Sequence, residues 1–305
     1  MKVRIGFSLG TAGMGTDGVD GIGALVDDLE RLGFDSLWLS ERITGPAPDP
    51  LPALAFAAGR TTRLKLGTSV LVVPGRNPML LAKELATVDR LSNGRLLPAV
   101  GLGAPDPMEH QAFGVQREER AALFDEVLPL LRRLWTEEAV DHDGPRYQLK
   151  AATVLPRPVQ QPIDVWLGGL APSELRRVGR LGDGWLPSFV TPDDVVEKRP
   201  VVEAAAAAAG REMDPEHWGA LLIYGPPASG TGNGLDDRLA AVIERRRPGL
   251  DPAELVPSGH DALRIQCERF IERGFSKLVV LPAFPVTSYA EELELLAATV
   301  LPLTT

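Results

Sequence analysis

A single (β/α)8 TIM barrel, with loop insertions at the C-terminal face of its strands, is the fold the sequence predicts. Three observations predict it. Short apolar runs rich in β-branched residues alternate with amphipathic stretches along the chain. The length, 305 residues, suits one barrel, and no linker divides the chain 1–305 into parts. Residues 64–103, LKLGTSVLVVPGRNPMLLAKELATVDRLSNGRLLPAVGLG, spell out one complete right-handed strand–helix–strand unit.

The elements follow in order. Residues 3–9 form the first strand, and the Gly-rich run TAGMGTDGVDG after it lacks the GxGxxG pattern, so it reads as a rim loop. A helix over 19–32 stops at Gly33, residues 35–40 make the second strand, and a proline-rich loop leads to a short helix over 51–59. In the central unit a nearly uncharged strand over 64–72 precedes a helix with Pro78 in its first turn. Asn93-Gly94 turns the chain into a strand ending at Gly101-Leu102-Gly103. Residues 104–116 read as a loop and 118–135 as a long helix. An excursion over 137–162 carries two short strands, 139–142 and 146–149. Strands over 164–167, 184–187, 218–224 and 277–281 complete the eight, with helices over 172–181, 192–209, 235–246, 260–273 and 288–300. The alanine run in 192–209 is strong helix propensity. GPPASGTGNG, 225–234, is the longest breaker-rich segment and reads either as a lid or as a surface loop.

Bulk properties exclude several classes. The composition, 44% hydrophobic and 24% charged, is globular, and the formal net charge of -9 excludes nucleic acid and anionic membranes as partners. One cysteine, Cys267, excludes a disulfide framework and reads as a small buried hydrophobe. No window approaches ~18 uncharged apolar residues and no signal-peptide stretch opens the chain, so the expectation is a cytosolic protein. The histidines are scattered and no metal site is expected. No G-x-S-x-G or other nucleophile constellation occurs.

Barrel enzymes work at the carboxyl ends of their strands, which nominates Ser8 to Gly10, Ser40 to Arg42, Thr68 to Val72, Gly101 to Glu109, Gly168 to Leu170, Ser188 to Val190, Tyr224, and Pro282 to Phe284. At Gly168-Gly169 the absence of side chains lets the backbone approach a phosphate, with the following helix N-terminus supplying amides. A plain strand-to-helix turn is the alternative. Trp38, Trp166 and Trp185 either line a pocket or pack the core.

The segment TSVLVVPGRNPMLLAKELATVDRLSNGRL (68–96) is similar to the hallmark of the luciferase-like monooxygenase superfamily. The resemblance continues through FDSLWLSER (34–42), GLGAPDPMEHQAFG (101–114), PVQQPIDVWLGG (158–169), LRRVGRLGDGWLPSF (175–189) and GFSKLVVLP (274–282). It implies an oxidoreductase that takes coenzyme F420, with FMN as the alternative. The coenzyme phosphate is expected at Gly168, Gly169 and Leu170. A non-prolyl cis peptide at Ser69-Val70 is expected behind the ring, with Ser8, Gly101, Gly103 and Ser188 completing the coenzyme contacts. Many relatives carry Ser-Asp-His where this chain has Ser40-Glu41-Arg42. Arginine is always protonated and cannot act as a base, so reduction of a small electron-poor substrate fits better than alcohol oxidation. Arg42 is then the electrophile, Glu41 a proton relay or a rim partner of Arg42, and Glu109 an acid/base candidate. An FMN-dependent monooxygenase and a non-catalytic flavin- or ligand-binding barrel are the rival readings. The resemblance also allows a homodimer.

Overall fold

The computed structural model describes residues 1–11, 18–227 and 237–305. The two loops read as rim and lid fall largely outside these residues. Among the described residues the strands are β1 (Arg4–Gly10), β2 (Ser36–Leu39), β3 (Lys65–Val72), β4 (Leu96–Gly101), β5 (Val140–Asp143), β6 (Gln148–Ala152), β7 (Trp166–Leu167), β8 (Gly184–Trp185), β9 (Gly219–Tyr224) and β10 (Lys277–Pro282). Eight of them form one parallel sheet in the order β8-β7-β4-β3-β2-β1-β10-β9. Bridges from Trp185 to Trp218 and from Ser188 to Leu221 join its two edges, so the sheet closes into the expected barrel. The antiparallel pair β5–β6 is the excursion between the fourth and fifth barrel strands.

The helices are α1 (Gly18–Leu32), α2 (Pro50–Arg60), α3 (Pro78–Leu91), α4 (Pro107–Phe113), α5 (Arg120–Thr136), α6 (Pro172–Leu181), α7 (Pro192–Ala208), α8 (Asp237–Arg246), α9 (Pro252–Leu255), α10 (Gly259–Glu272) and α11 (Tyr289–Val300). Helices α2, α3, α4, α6, α7 and α9 share one start device, a proline in the first turn. In all but α6 it follows an Asp, Asn or Thr whose side chain accepts a first-turn amide. Two of these helices correct the sequence reading: α4 lies in what reads as the 104–116 loop, and α9 follows α8. The alanine run has a packing role as well as propensity. A Cβ on Gly179 of α6 would meet the Val202 carbonyl at 2.3 Å, so small residues let α6 and α7 approach closely.

Alternation along the strands separates two apolar layers. Ala220, Leu222 and Tyr224 join the layer between barrel and helices, while Leu221 and Ile223 join the interior. Two indoles plug that interior. Trp38 fills space left by Gly67 and Gly6, where an added Cβ would lie 2.3 and 2.9 Å from the ring, and Trp166 does the same over Gly184 at 2.3 Å. Trp185 belongs instead to the outer layer, edge-on to Trp218 and Phe275. Cys267 is fully buried, as expected, and burial pushes its thiol up to about 12. Among the described residues no helix is long and apolar enough to cross a membrane.

Candidate active site

The end of β2 stitches the end of β3 in place. Ser40 Oγ donates to the Ser69 carbonyl at 2.7 Å, the Glu41 amide donates to the Val70 carbonyl at 3.1 Å, and Glu41 Oε2 accepts from the Val72 amide at 2.7 Å. The peptide between Ser69 and Val70 is cis, at the position the resemblance implies. Val70 then lies against Gly101, where an added Cβ would sit 2.8 Å from its Cγ2, and Val72 lies against Gly103. On the other side, Ser8 is fully buried and accepts from the Gly10 amide at 3.1 Å, shaping the irregular end of β1. One flank of the mouth is therefore a polar shelf of Ser8, Ser40 and Ser69.

The three catalytic candidates are placed differently from one another. Glu41 does not pair with its neighbour Arg42. Its carboxylate, 2% exposed, forms an ion pair with Arg76, the residue whose Nε also donates to the Val72 carbonyl at 2.9 Å. Burial raises the Glu41 carboxyl above its ordinary range, against the opposing pull of the Arg76 charge and the Val72 amide. Arg76 in turn lines a groove of about 350 Å3 between α2 and α3, on the outside of the ring. Arg42 pairs with Asp106 at 2.8 Å and keeps 38% of its side chain exposed. Glu109 is buried and accepts from the Thr44 amide at 3.0 Å, the Thr44 hydroxyl at 2.9 Å and the Ile43 amide at 3.3 Å. It fixes the loop carrying Arg42, since all three of these bonds come from that loop.

A residue the sequence reading missed completes this corner. Arg120, at the start of α5, is buried and donates to the carbonyls of Leu102, Gly103 and Ala104 at 3.2, 3.1 and 3.2 Å. One guanidinium thus holds the chain leaving β4, and burial lowers its pKa. Tyr224, also nominated as a strand end, faces outward. Its hydroxyl donates to Glu292 Oε1 at 2.6 Å, with His260 Nε2 at 2.7 Å from the same oxygen.

The Gly168-Gly169 turn follows β7. Gly169 has φ 105, and Trp185 Nε1 donates to its carbonyl at 3.1 Å. Gly168 lies so close to β8 that a Cβ would be 3.1 Å from the Leu186 carbonyl. The amides of Leu170 and Ala171 converge on one oxygen of Glu174, at 2.9 and 3.0 Å. These amides at the start of α6 fit an anion, and the carboxylate stands in for one; a phosphate here would share or take its place. Ser188 sits at the bridge that closes the barrel, beside this turn in sequence order of the strands.

The remaining flank is apolar. Phe189, Leu221, Ile223, Leu281 and Ala283 cluster with Ile243 of α8 and with Leu255 and Val256 at α9. Among the described residues no three of His, Cys, Asp and Glu converge as metal ligands. Among the described residues the mouth thus joins a polar shelf, an anion cradle and an apolar wall, with no paired nucleophile and base. That is the layout of a barrel protein whose chemistry comes from a bound organic cofactor.

The comparisons agree with this class. Residues 3–224 match the model of the family described as luciferase-like monooxygenase, and the chain belongs to that family. It is 30% identical over 308 residues to the F420-dependent glucose-6-phosphate dehydrogenase of Microbacterium testaceum, covering 92% of this chain and 84% of that one. With the enzyme of the same name from Kineococcus radiotolerans identity rises to 36% over 167 residues, but this spans only 52% of the chain and 49% of the relative. The crystal structure of the monooxygenase RslO1 from Streptomyces bottropensis superposes with a TM-score of 0.79 at 25% identity, over 98% of this chain and 99% of that one.

Proposed function

We propose that this chain is an F420-dependent oxidoreductase working as a reductase on a small organic substrate. The observation that carries the reading is the pairing, across one mouth, of the anion cradle at Gly168 to Leu170 with the shelf at Ser69-Val70. The cradle would hold the coenzyme phosphate. Ser69, Val70, Gly101 and Gly103 would carry the ring, with Ser8 and Ser188 at its margins. When bound, the deazaflavin supplies a hydride. The chain supplies a fixed positive charge, Arg42, beside which a carbonyl or similar acceptor can gather negative charge. Glu41, whose carboxyl burial raises, is the carboxyl group nearest that position in sequence, held toward Arg76. The relatives named above support the coenzyme; their sugar-phosphate substrate is a property of theirs.

Titration with F420 and, separately, with FMN, following tryptophan fluorescence, tests the reading. Trp185 reports directly on the Gly169 carbonyl. Tight F420 binding with weak FMN binding is the expected result, and the reverse preference removes the proposal. The likeness to RslO1 favours one second reading, a monooxygenase; with FMN as its cofactor it would consume oxygen in the presence of reduced FMN. The proposal includes a cytosolic enzyme and a homodimer through the outer helices, where Phe56, Leu80 and Leu91 stand exposed. Sedimentation at several concentrations checks the dimer.

A further inference from the structure

The coenzyme reading leaves the substrate open, and the wall opposite the shelf narrows it. Toward the carboxyl ends of three adjacent strands the inward positions include an apolar set: Leu186 after β8, Leu221 and Ile223 on β9, Val279 and Leu281 on β10. Phe189 and Ala283 carry the same character past the strand ends. The cover above is apolar too. Ile243, Leu255 and Val256, at most 6% exposed, pack with the barrel interior and not with the outer layer, so α8 and α9 lie over this flank. Phe189, Leu281 and Ala283 stay partly exposed within the cluster, and Val70 of the shelf belongs to it as well. Leu281 also leans on Gly10 at the end of β1, where a Cβ would meet its Cδ1 at 2.9 Å. The wall therefore runs unbroken from β8 round to β1, next to the strand whose end carries Arg42.

Charge points the same way. A phosphorylated substrate is a dianion and needs convergent, uncommitted cations or amides. Four described cations around this mouth already have anionic partners. Arg247 and Lys198 bind Asp194 at 2.7 and 3.1 Å and Arg76 binds Glu41, while Arg42, shared with Asp106 at 2.8 Å, is one half-exposed cation, enough for a carbonyl oxygen and too little for a dianion. Arg246 is the exception: it stands over the Phe189 ring, 4.8 Å from its centroid, within reach of the charge of Glu174, and would serve the coenzyme phosphate at that cradle.

We infer that the substrate is an uncharged molecule with an apolar body and one conjugated carbonyl, an alkyl or aryl enone, and not a phosphorylated sugar. The inference rests on the coenzyme reading above. The enone takes a hydride from the reduced deazaflavin at its electron-poor carbon, forming a C–H bond as the C=C π bond breaks. The electron pair moves onto the carbonyl oxygen beside Arg42, and a proton from water restores the ketone. Two electrons pass from coenzyme to substrate and the balance closes.

The experiment uses coenzyme-loaded protein and two probes, cyclohexenone and glucose 6-phosphate. Affinities come from quenching of the bound coenzyme's fluorescence, and turnover from its absorbance. Cyclohexenone is expected to bind at least about tenfold tighter than the sugar phosphate and to be reduced. Leu281→Asn is expected to weaken the enone roughly fivefold or more while coenzyme affinity holds, which shows the wall variant is folded. Equal or tighter binding of glucose 6-phosphate overturns the inference, as does binding of neither probe to loaded protein. Failure of F420 itself to bind is scored first and separately, and removes both the coenzyme reading and this one.

Discussion

Glu174 is where a single charge has the clearest consequence. Its carboxylate already sits on the amides a coenzyme phosphate would need, and it is also the N3 residue of α6. Glu174→Gln keeps an oxygen for those amides and removes the charge, so it separates capping from competition. F420 affinity is expected to rise about tenfold in Glu174→Gln and at least as much in Glu174→Ala, since like charges a few ångströms apart cost on the order of 1–2 kcal/mol near a surface. Unchanged binding in the glutamine variant with weaker binding in the alanine variant would mean a cap and nothing more. At Arg42 the expectation is a split. Arg42→Met should lower kcat on an enone by about a hundredfold, with coenzyme affinity little changed, because only the developing oxyanion needs the charge. Residue identities at the strand ends were legible in the sequence, since Ser69-Val70 and Gly168-Gly169 follow short apolar runs. Partnerships were not. Arg42 stands next to Glu41, yet each takes a partner far along the chain, Asp106 and Arg76, because consecutive side chains after a strand diverge.

Elements add what no single residue shows. Helix α4 brings two carboxylates to the loop carrying Arg42: Asp106 on its guanidinium and Glu109 on the amides of Ile43 and Thr44. The segment before α4 is itself held by Arg120. Arg120→Met would leave the carbonyls of Leu102, Gly103 and Ala104 without that donor, and should destabilise the protein by about 2–4 kcal/mol in urea unfolding. Arg120→Lys should recover part of the loss, whereas equal stability of all three proteins would show that water satisfies the carbonyls. Long helices were legible from their apolar spacing, α5 to within two residues at each end and α3 with Pro78 in its first turn. Helix α4 was not, since seven residues hold too few turns for periodicity. Its signals were local: Asp106 as cap, Pro107 in the first turn, and Gly114 in the left-handed region at its end.

For the whole molecule, the alternation of strands and helices was enough to imply a barrel, because parallel strands joined by helices have few ways to close. How the ring closes was not legible. β7 and β8 have two residues each, and the closing contacts are isolated bridges between β8 and β9. Nor did the sequence tell that Trp38 and Trp166 plug the interior, which depends on glycines of neighbouring strands meeting their rings. The cover of the mouth depends on one more long-range contact. Asp194, near the start of α7, binds Arg247 just after α8 at 2.7 and 3.0 Å, and also Thr191 and Lys198. Burial pushes its carboxyl up, but these partners outweigh burial and hold it down at about 2, against an ordinary 3.8. With the folded value below the unfolded one, the unfolded chain takes up the proton first as acid is added. The stabilisation is therefore complete above the ordinary value and is lost as pH falls through the folded one. Asp194→Asn should cost about 1–2 kcal/mol at neutral pH, allowing for solvent at this helix end, and almost nothing near pH 2. Thermal melts of both proteins across that range check it. A gap that stays constant with pH would show that Asp194 acts through shape and hydrogen bonding alone, and that acid leaves the tie between α7 and the mouth's cover intact.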